Sequence, residues 1–157
     1  MKIILIIIAV IILTGVIYFI YLGFKSQTGT PIGLIDNRLS PCPSTPNCIC
    51  TEYPNDESHF TEAITFSAEN ADSVPKIMAN AIEQTGGVIT KAENNYIAAT
   101  YTSKLFRYVD DFEIRIDNEN HLIHIRSASR VGKSDFGANL KRIESFRVLL
   151  EKKKKTH

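Results

Sequence analysis

Residues 3–24, IILIIIAVIILTGVIYFIYLGF, hold no charged side chain, and no other stretch constrains the fold so strongly. A helix of about 22 residues, rising about 1.5 Å per residue, is about as long as the ~30 Å hydrocarbon layer of a bilayer is thick. Core helices of soluble domains seldom run so long without a charge. A secretory signal has an apolar core of roughly 7–15 residues and then a small-residue cleavage site. Here FKSQTGT follows, with neither an A-x-A pattern nor a cysteine for lipid attachment. The expectation is an uncleaved single-pass anchor over residues 1–24, whose partner is the membrane. Lys2 and the amino terminus flank one side, Lys25 and Arg38 the other, so charge alone orients the helix only weakly.

Lys2 is the only charge in the first 24 residues, which leaves 17 basic and 17 acidic side chains in residues 25–157. Setting aside the four lysines Lys152, Lys153, Lys154 and Lys155 leaves 13 basic against 17 acidic, and so no broad basic surface. That balance excludes nucleic acid as a partner. The lysine run would be worth about 1 kcal/mol per residue at an anionic membrane, but it reads more simply as a solvated helix end complementing the helix dipole.

Gly29, Pro31, Gly33, Pro41, Pro43 and Pro46 disfavour regular structure between the anchor and Asn47. They predict a flexible linker over 25–38 and a folded domain over 39–157 that begins in a pinned loop. Cys42 and Cys48 bracket that loop, close enough to bridge if it turns back on itself. A zinc site would need a second pair, for which only Cys50 and His59 are at hand. A Cys42–Cys48 disulfide fits better and implies an oxidising compartment. The anchor then belongs in the inner membrane, with residues 25–157 facing the periplasm or cell exterior. Cys50 is the odd thiol, either buried or able to take the place of Cys48 in the bridge.

EAITFSA reads as a strand, and ADSVPKIMANAIEQTGG as a helix with Val74, Ile77, Met78, Ala81 and Ile82 on one face and Gly86–Gly87 as its stop. VITKAE, YIAATYTS, RYVDDFEIRI and HLIHIRSASR follow, β-branched and aromatic residues alternating with polar ones between turn signals. A last helix is expected from Ser134 to about Lys153, capped by Ser134 or Asp135, with Phe136, Leu140, Ile143, Leu149 and Leu150 on its apolar side. The order βαββββα predicts an α+β fold: an antiparallel sheet of about five strands, a long C-terminal helix packed on one face, and one N-terminal transmembrane helix before it.

Three separated stretches, LSPCPSTPNC, LFRYVDDFEIRI and IRSASRVGKSDFGANLKRIESFR, together resemble the signature blocks of the bacterial and plastid family catalogued as domain of unknown function 1499. The resemblance covers roughly residues 39–150. It implies an extracytoplasmic or membrane-associated domain and names no activity. Cys50 stands where the family pattern has small or hydroxyl residues, and FTEAITF replaces a proline-containing stretch after His59.

The candidate site comes from the two polar strands taken as a hairpin turning at DNENH. If Ile114 faces the core opposite Ile125, Glu113 stands opposite Arg126 on the other face, and Asp111 lies diagonal to Arg126 and Arg130. Asp110 has the opposite parity, points inward opposite Ser129, and needs donors such as Arg142 or the hydroxyls. One reading is a structural network in which Arg126, Arg130, Arg142 and Asn139 neutralise Asp110, Asp111, Glu113 and Glu144. The other is a site for an anionic small molecule or an envelope protein, built from Arg126, Arg130, Ser127, Ser129 and the free N–H groups at the start of the last helix near Ser134, Asp135 and Asn139. Acids of matching number on the neighbouring strand favour the network. A close approach is expected at Gly137, because glycine costs roughly 1 kcal/mol inside a helix. A hydrolase using Ser127, Ser129 or Asp110 is the alternative, but the serines lack a nucleophile elbow and an evident base. No residue pattern implies a catalytic residue set, a metal site or a cofactor. A binding or assembly module with an acid and arginine centre is the function expected.

Overall fold

The computed structural model describes residues 1–154, with 152–154 as backbone only, so the expected role of the lysine tail falls outside the described side chains. Helix α1 (Lys2–Gln27) is long and apolar enough to cross a membrane. Its apolar side chains are exposed along most of its length, and only Gly23 and Ser26, near its end, are buried against the domain.

After α1, strands β1 (Leu34–Ile35) and β2 (Arg38–Leu39) form a small hairpin. Its two-residue turn, Asp36 and Asn37, takes φ of 50° and 61°, the left-handed pair that a tight antiparallel turn requires and that Asp and Asn tolerate. The segment read from its proline and glycine content as a flexible linker therefore carries a hairpin, and Gly33 N–H donates to Glu113 in the sheet. Strand β3 (Cys48–Cys50) and the short β4 (Ile64–Thr65) come next. A 3₁₀ turn over Ala68–Ser73 then leads into α2 (Val74–Gln84), with Pro75 in its first turn, where its missing N–H does no harm. Strands β5 (Val88–Glu93), β6 (Tyr96–Thr102), β7 (Val109–Asp117) and β8 (Leu122–Ser129) lead to α3 (Ala138–Lys154).

The main sheet is antiparallel and runs β3-β8-β7-β6-β5, with β4 on the far end of β8, making six strands. The α+β class and the C-terminal helix are as the sequence predicts. The additional strand is Cys48–Cys50, which reads as part of the pinned loop because three residues are too few to show an alternation. Phe112, Ile114, Ile116, Ile123 and Ile125 point from the central hairpin into the main core, where α2 contributes Val74, Met78 and Ile82 and α3 contributes Ile143, Phe146 and Leu150. Beneath the opposite face of the sheet lies a smaller cluster of Leu39, Cys50, Tyr96 and Ala98.

The last helix begins four residues later than expected. Phe136 and Gly137 take φ of 53° and 79°, outside the helical region, and Asp135 caps the helix by accepting the Gly137 and Asn139 N–H groups at 3.0 and 2.7 Å. Gly137 is thus required by its backbone angle. A Cβ there would meet nothing, so no close approach explains it. Phe136, expected on the apolar side, is fully exposed because it precedes the helix.

Cys42 and Cys48 are bonded, with their Cα atoms 5.6 Å apart, and Cys50 is a buried free thiol. Burial pushes the Cys50 thiol up to about 11, so it stays protonated and inert at neutral pH. Peptide mapping of the isolated protein without reductant is expected to join the Cys42 and Cys48 peptides and leave Cys50 free. Reduction is expected to lower stability by about 2 kcal/mol, as suits so short a loop. A bridge containing Cys50 would contradict the pairing.

Candidate functional site

The β7–β8 hairpin pairs Asp110 with Ser129, Asp111 with Ala128, Glu113 with Arg126 and Ile114 with Ile125. That register is the one the hydrophobic alternation predicts. Because successive side chains point to opposite faces, it also splits the acids and arginines into two groups with the sheet between them. The single network expected from the sequence is therefore two, and Glu144, exposed on α3, belongs to neither.

On the helix side, Arg142 Nη2 donates to Asp110 Oδ2 at 2.7 Å and Nη1 to Ser127 Oγ at 2.9 Å, with the guanidinium 4.7 Å above the Tyr101 ring. Arg142 is thus the donor that inward-pointing Asp110 requires. Asn139, fully buried, accepts from Ser127 Oγ at 2.6 Å and donates to the Asn47 carbonyl and to Ser129 Oγ. One asparagine side chain therefore ties the loop before β3 to β8 and α3. Ser127 is also fully buried, and its partners Arg142 and Asn139 offer it no general base. Ser134 and Asp135 lie in the turn before α3. Because Asp135 accepts N–H groups there, and because this end lies across the sheet from Arg126, the helix N-terminus and Arg126 do not form one anion site.

On the other face, Glu113 is fully buried. Its Oε2 accepts from Arg126 Nη1 at 3.0 Å, while Oε1 accepts from Tyr96 Oη at 2.7 Å and Gly33 N–H at 2.8 Å. Burial, reinforced by the bond to Glu113, holds the Tyr96 hydroxyl protonated far above its usual range. Arg130 grips both oxygens of Asp111, its Nη2 reaching Oδ1 at 2.6 Å, and its Nη1 donates to the Ser26 carbonyl at the end of α1.

A third group was missed by sequence reasoning. Glu52, its side chain wholly buried, accepts from Arg115 Nε at 2.6 Å, Arg38 Nε at 2.8 Å and Leu39 N–H at 3.2 Å. Burial alone would raise its carboxyl, but these donors outweigh it and hold the group below the usual carboxylate range. Arg115 shares the parity of Asp111 and Glu113, so the alternation could have found it. Glu52 sits in a loop with no periodicity, and its arginine partners come from β2 and β7.

An open cavity of about 470 Å³ lies where the chain leaving α1, the disulfide loop and this charged face meet. Gly29 and Ile32 line one side, Pro41 another, and Asp111, Arg126 and Arg130 the floor. Arg126 is 4% exposed, and its Nε is a buried donor without a partner; Arg147 Nε, on α3, is the other such atom among the described residues. Cys50 and His59 do not complete a metal set with the bridged cysteines, and among the described residues no group of three His, Cys, Asp or Glu is placed to hold one. His59 instead bonds Asp56 and the Thr45 carbonyl.

The fold and site define an α+β domain that carries an apolar N-terminal helix and has ion pairs on both faces of its sheet. A family model described as "Protein of unknown function (DUF1499)" matches residues 38–150, and the chain belongs to that family. Neither the curated proteins nor the solved structures compared contain a match.

Separation by the sheet has a measurable consequence. Asn139→Ala leaves the buried Ser127 hydroxyl without its acceptor and removes one of the two donors to the Asn47 carbonyl, and is expected to cost about 2–4 kcal/mol in denaturant melts, and Tyr96→Phe about 1–2 kcal/mol. The double variant should lose the sum to within about 0.5 kcal/mol, as sites without shared partners do. A coupling above about 1 kcal/mol would mean that the two groups act as one.

Proposed function

We propose that this protein is a single-pass, membrane-anchored binding module. Its α+β domain lies outside the inner membrane, towards the periplasm or cell exterior, and its ligand site is the cavity over Arg126. The exposed apolar surface of α1 supports the anchor, and the Cys42–Cys48 disulfide supports the oxidising side. The observation that carries the binding reading is Arg126: its carboxylate partner holds one edge of the guanidinium, while Nε has no partner beside an open cavity. A buried donor left unsatisfied costs about 1–3 kcal/mol, and because Nε is itself closed to solvent, an acceptor in the cavity would recover that cost by drawing the guanidinium round towards it.

The ligand class is a small anion, a carboxylate or phosphate, with an apolar part that lies over Ile32 and Pro41. A planar guanidinium suits both head groups. The cavity is lined by the residues that follow α1, so the phosphate could come from a lipid headgroup or a free molecule. Titration calorimetry on the full chain in neutral detergent distinguishes these sources, with inorganic phosphate, glycerol phosphate, octanoate and short-chain phosphatidylglycerol as probes. At least one is expected to bind. Ile32→Glu, an exposed substitution that puts a like charge at the mouth, should weaken binding about tenfold, equivalent to ~1.4 kcal/mol. Binding of phosphatidylglycerol without glycerol phosphate assigns the lipid. No binding by any probe, or binding indifferent to Ile32→Glu, overturns the site.

A further inference from the structure

We infer that the β6–β7 loop, Ser103 to Tyr108 (SKLFRY), lies in the lipid headgroup layer beside the anchor and sets how the domain stands over the bilayer. The inference rests on α1 being a membrane span, as proposed above, and adds a second point of membrane contact from a different part of the chain.

Loop and helix are docked side by side. The Phe106 ring lies 5.4 Å from that of Phe19 and 5.8 Å from that of Tyr108. Gly23 permits the approach, because a Cβ there would stand 2.0 Å from the Phe106 carbonyl oxygen. One turn further on, Ser26 Oγ accepts the Val109 N–H at 3.0 Å, and the Ser26 carbonyl accepts from Arg130. These contacts fix the loop's depth along the helix axis. Phe19 lies five residues before Phe24, the last of the uncharged run. At about 1.5 Å per residue, the Phe106 backbone, beside Gly23, stands within about 2 Å of the apolar end of the span, and its ring, beside Phe19, reaches roughly 7 Å inside it. The polar layer, about 5–7 Å thick, begins at that end, so the loop backbone stands at the base of the headgroup layer while the Phe106 ring dips into the hydrocarbon.

The loop's composition and backbone fit that position. Leu105 is 80% exposed, and Lys104 and Arg107 flank the apolar pair with exposed charges, the combination that lets apolar groups enter lipid while cations reach the phosphates. Arg107 takes φ of 59°, a left-handed conformation that costs roughly 1–2 kcal/mol for a residue with a Cβ. Ser103 N–H to the Tyr108 carbonyl at 2.8 Å and Tyr108 N–H to Ser103 Oγ at 2.9 Å hold it closed. An exposed leucine on a strained, braced loop beside a membrane helix is thus presented to the lipid rather than left to fold back.

The chain has no tryptophan, so single-tryptophan variants report depth directly. Leu105→Trp, Ile12→Trp in the middle of α1 and Glu119→Trp in the turn at the opposite end of β7 all lie at exposed positions. Each full chain is reconstituted into vesicles of three parts phosphatidylcholine to one part phosphatidylglycerol, with nitroxide lipids labelled near the headgroup or at the chain end. Ile12→Trp is expected to be quenched most by the chain-end label, and Glu119→Trp by neither. Leu105→Trp should emit to the blue of Glu119→Trp and be quenched most by the headgroup label. If Leu105→Trp behaves like Glu119→Trp while Ile12→Trp is quenched, the loop is free for another partner, and the inference falls while the anchor stands. If Ile12→Trp escapes quenching, the anchor falls and the inference with it.

Discussion

The buried ion pair between Glu113 and Arg126 is the interaction on which the second face of this sheet depends. Taking two charges out of water costs several kcal/mol each, and the attraction between them offsets this only when the remaining hydrogen-bonding capacity is filled. Glu113 meets that condition with Tyr96 from β6 and Gly33 from the chain that follows the anchor. A carboxylate on β7 thereby holds an arginine on β8, a tyrosine on β6 and the segment leading from α1 in one place. Arg130 repeats the device one residue pair along, joining Asp111 to the Ser26 carbonyl. The end of the apolar helix is thus bonded to the sheet by the same layer of charges that floors the cavity.

The two faces of the sheet solve different problems. Towards α2 and α3 the hairpin is aliphatic and aromatic, and its one buried polar group, around Asn139 and Arg142, is fully bonded and locks α3 to the loop before β3. Towards the hairpin and the disulfide loop, the sheet carries pairs whose carboxylates are buried and whose arginines come from several elements. Around Ser127, Asn139 and Arg142 the buried polar side-chain atoms are all bonded, and the unpartnered donor on the helix side, among the described residues, is Arg147 Nε, elsewhere on α3. The other side keeps an unpartnered Arg126 donor beside open space, which is why binding is proposed there rather than around Ser127.

Much of this was legible because hydrophobic alternation specifies register. Ile114, Ile116, Ile123 and Ile125 fix which way the hairpin faces, and from that the pairing of Glu113 with Arg126 and the inward turn of Asp110 follow. The same alternation implies that Asp110 and Asp111 lie on opposite sides, yet grouping all the arginines into one network ignored it. Other features gave little local signal. Cys48–Cys50 is too short for a pattern, and Glu52 finds its arginines only through tertiary folding. The Asp36–Asn37 turn was readable in principle from a two-residue polar pair between Leu-Ile and Arg-Leu, but the surrounding prolines and glycines suggested a tether. The start of α3 was misplaced because Phe136 fits the helical period, while the positive φ at Phe136 and Gly137 is set by the turn that delivers Asp135 as the cap.

A double-mutant cycle on Glu113 and Arg126 tests the central claim most directly. Glu113→Gln, Arg126→Met and the double variant would be compared by denaturant unfolding of the full chain in one detergent. Each single variant leaves its partner's charge buried and alone, and is expected to lose about 3–5 kcal/mol. The double variant removes both charges and should lose far less than the sum, with a coupling of at least about 2 kcal/mol. Losses that simply add, or single losses below about 1 kcal/mol as for exposed pairs, would contradict the claim that this pair holds the second face together.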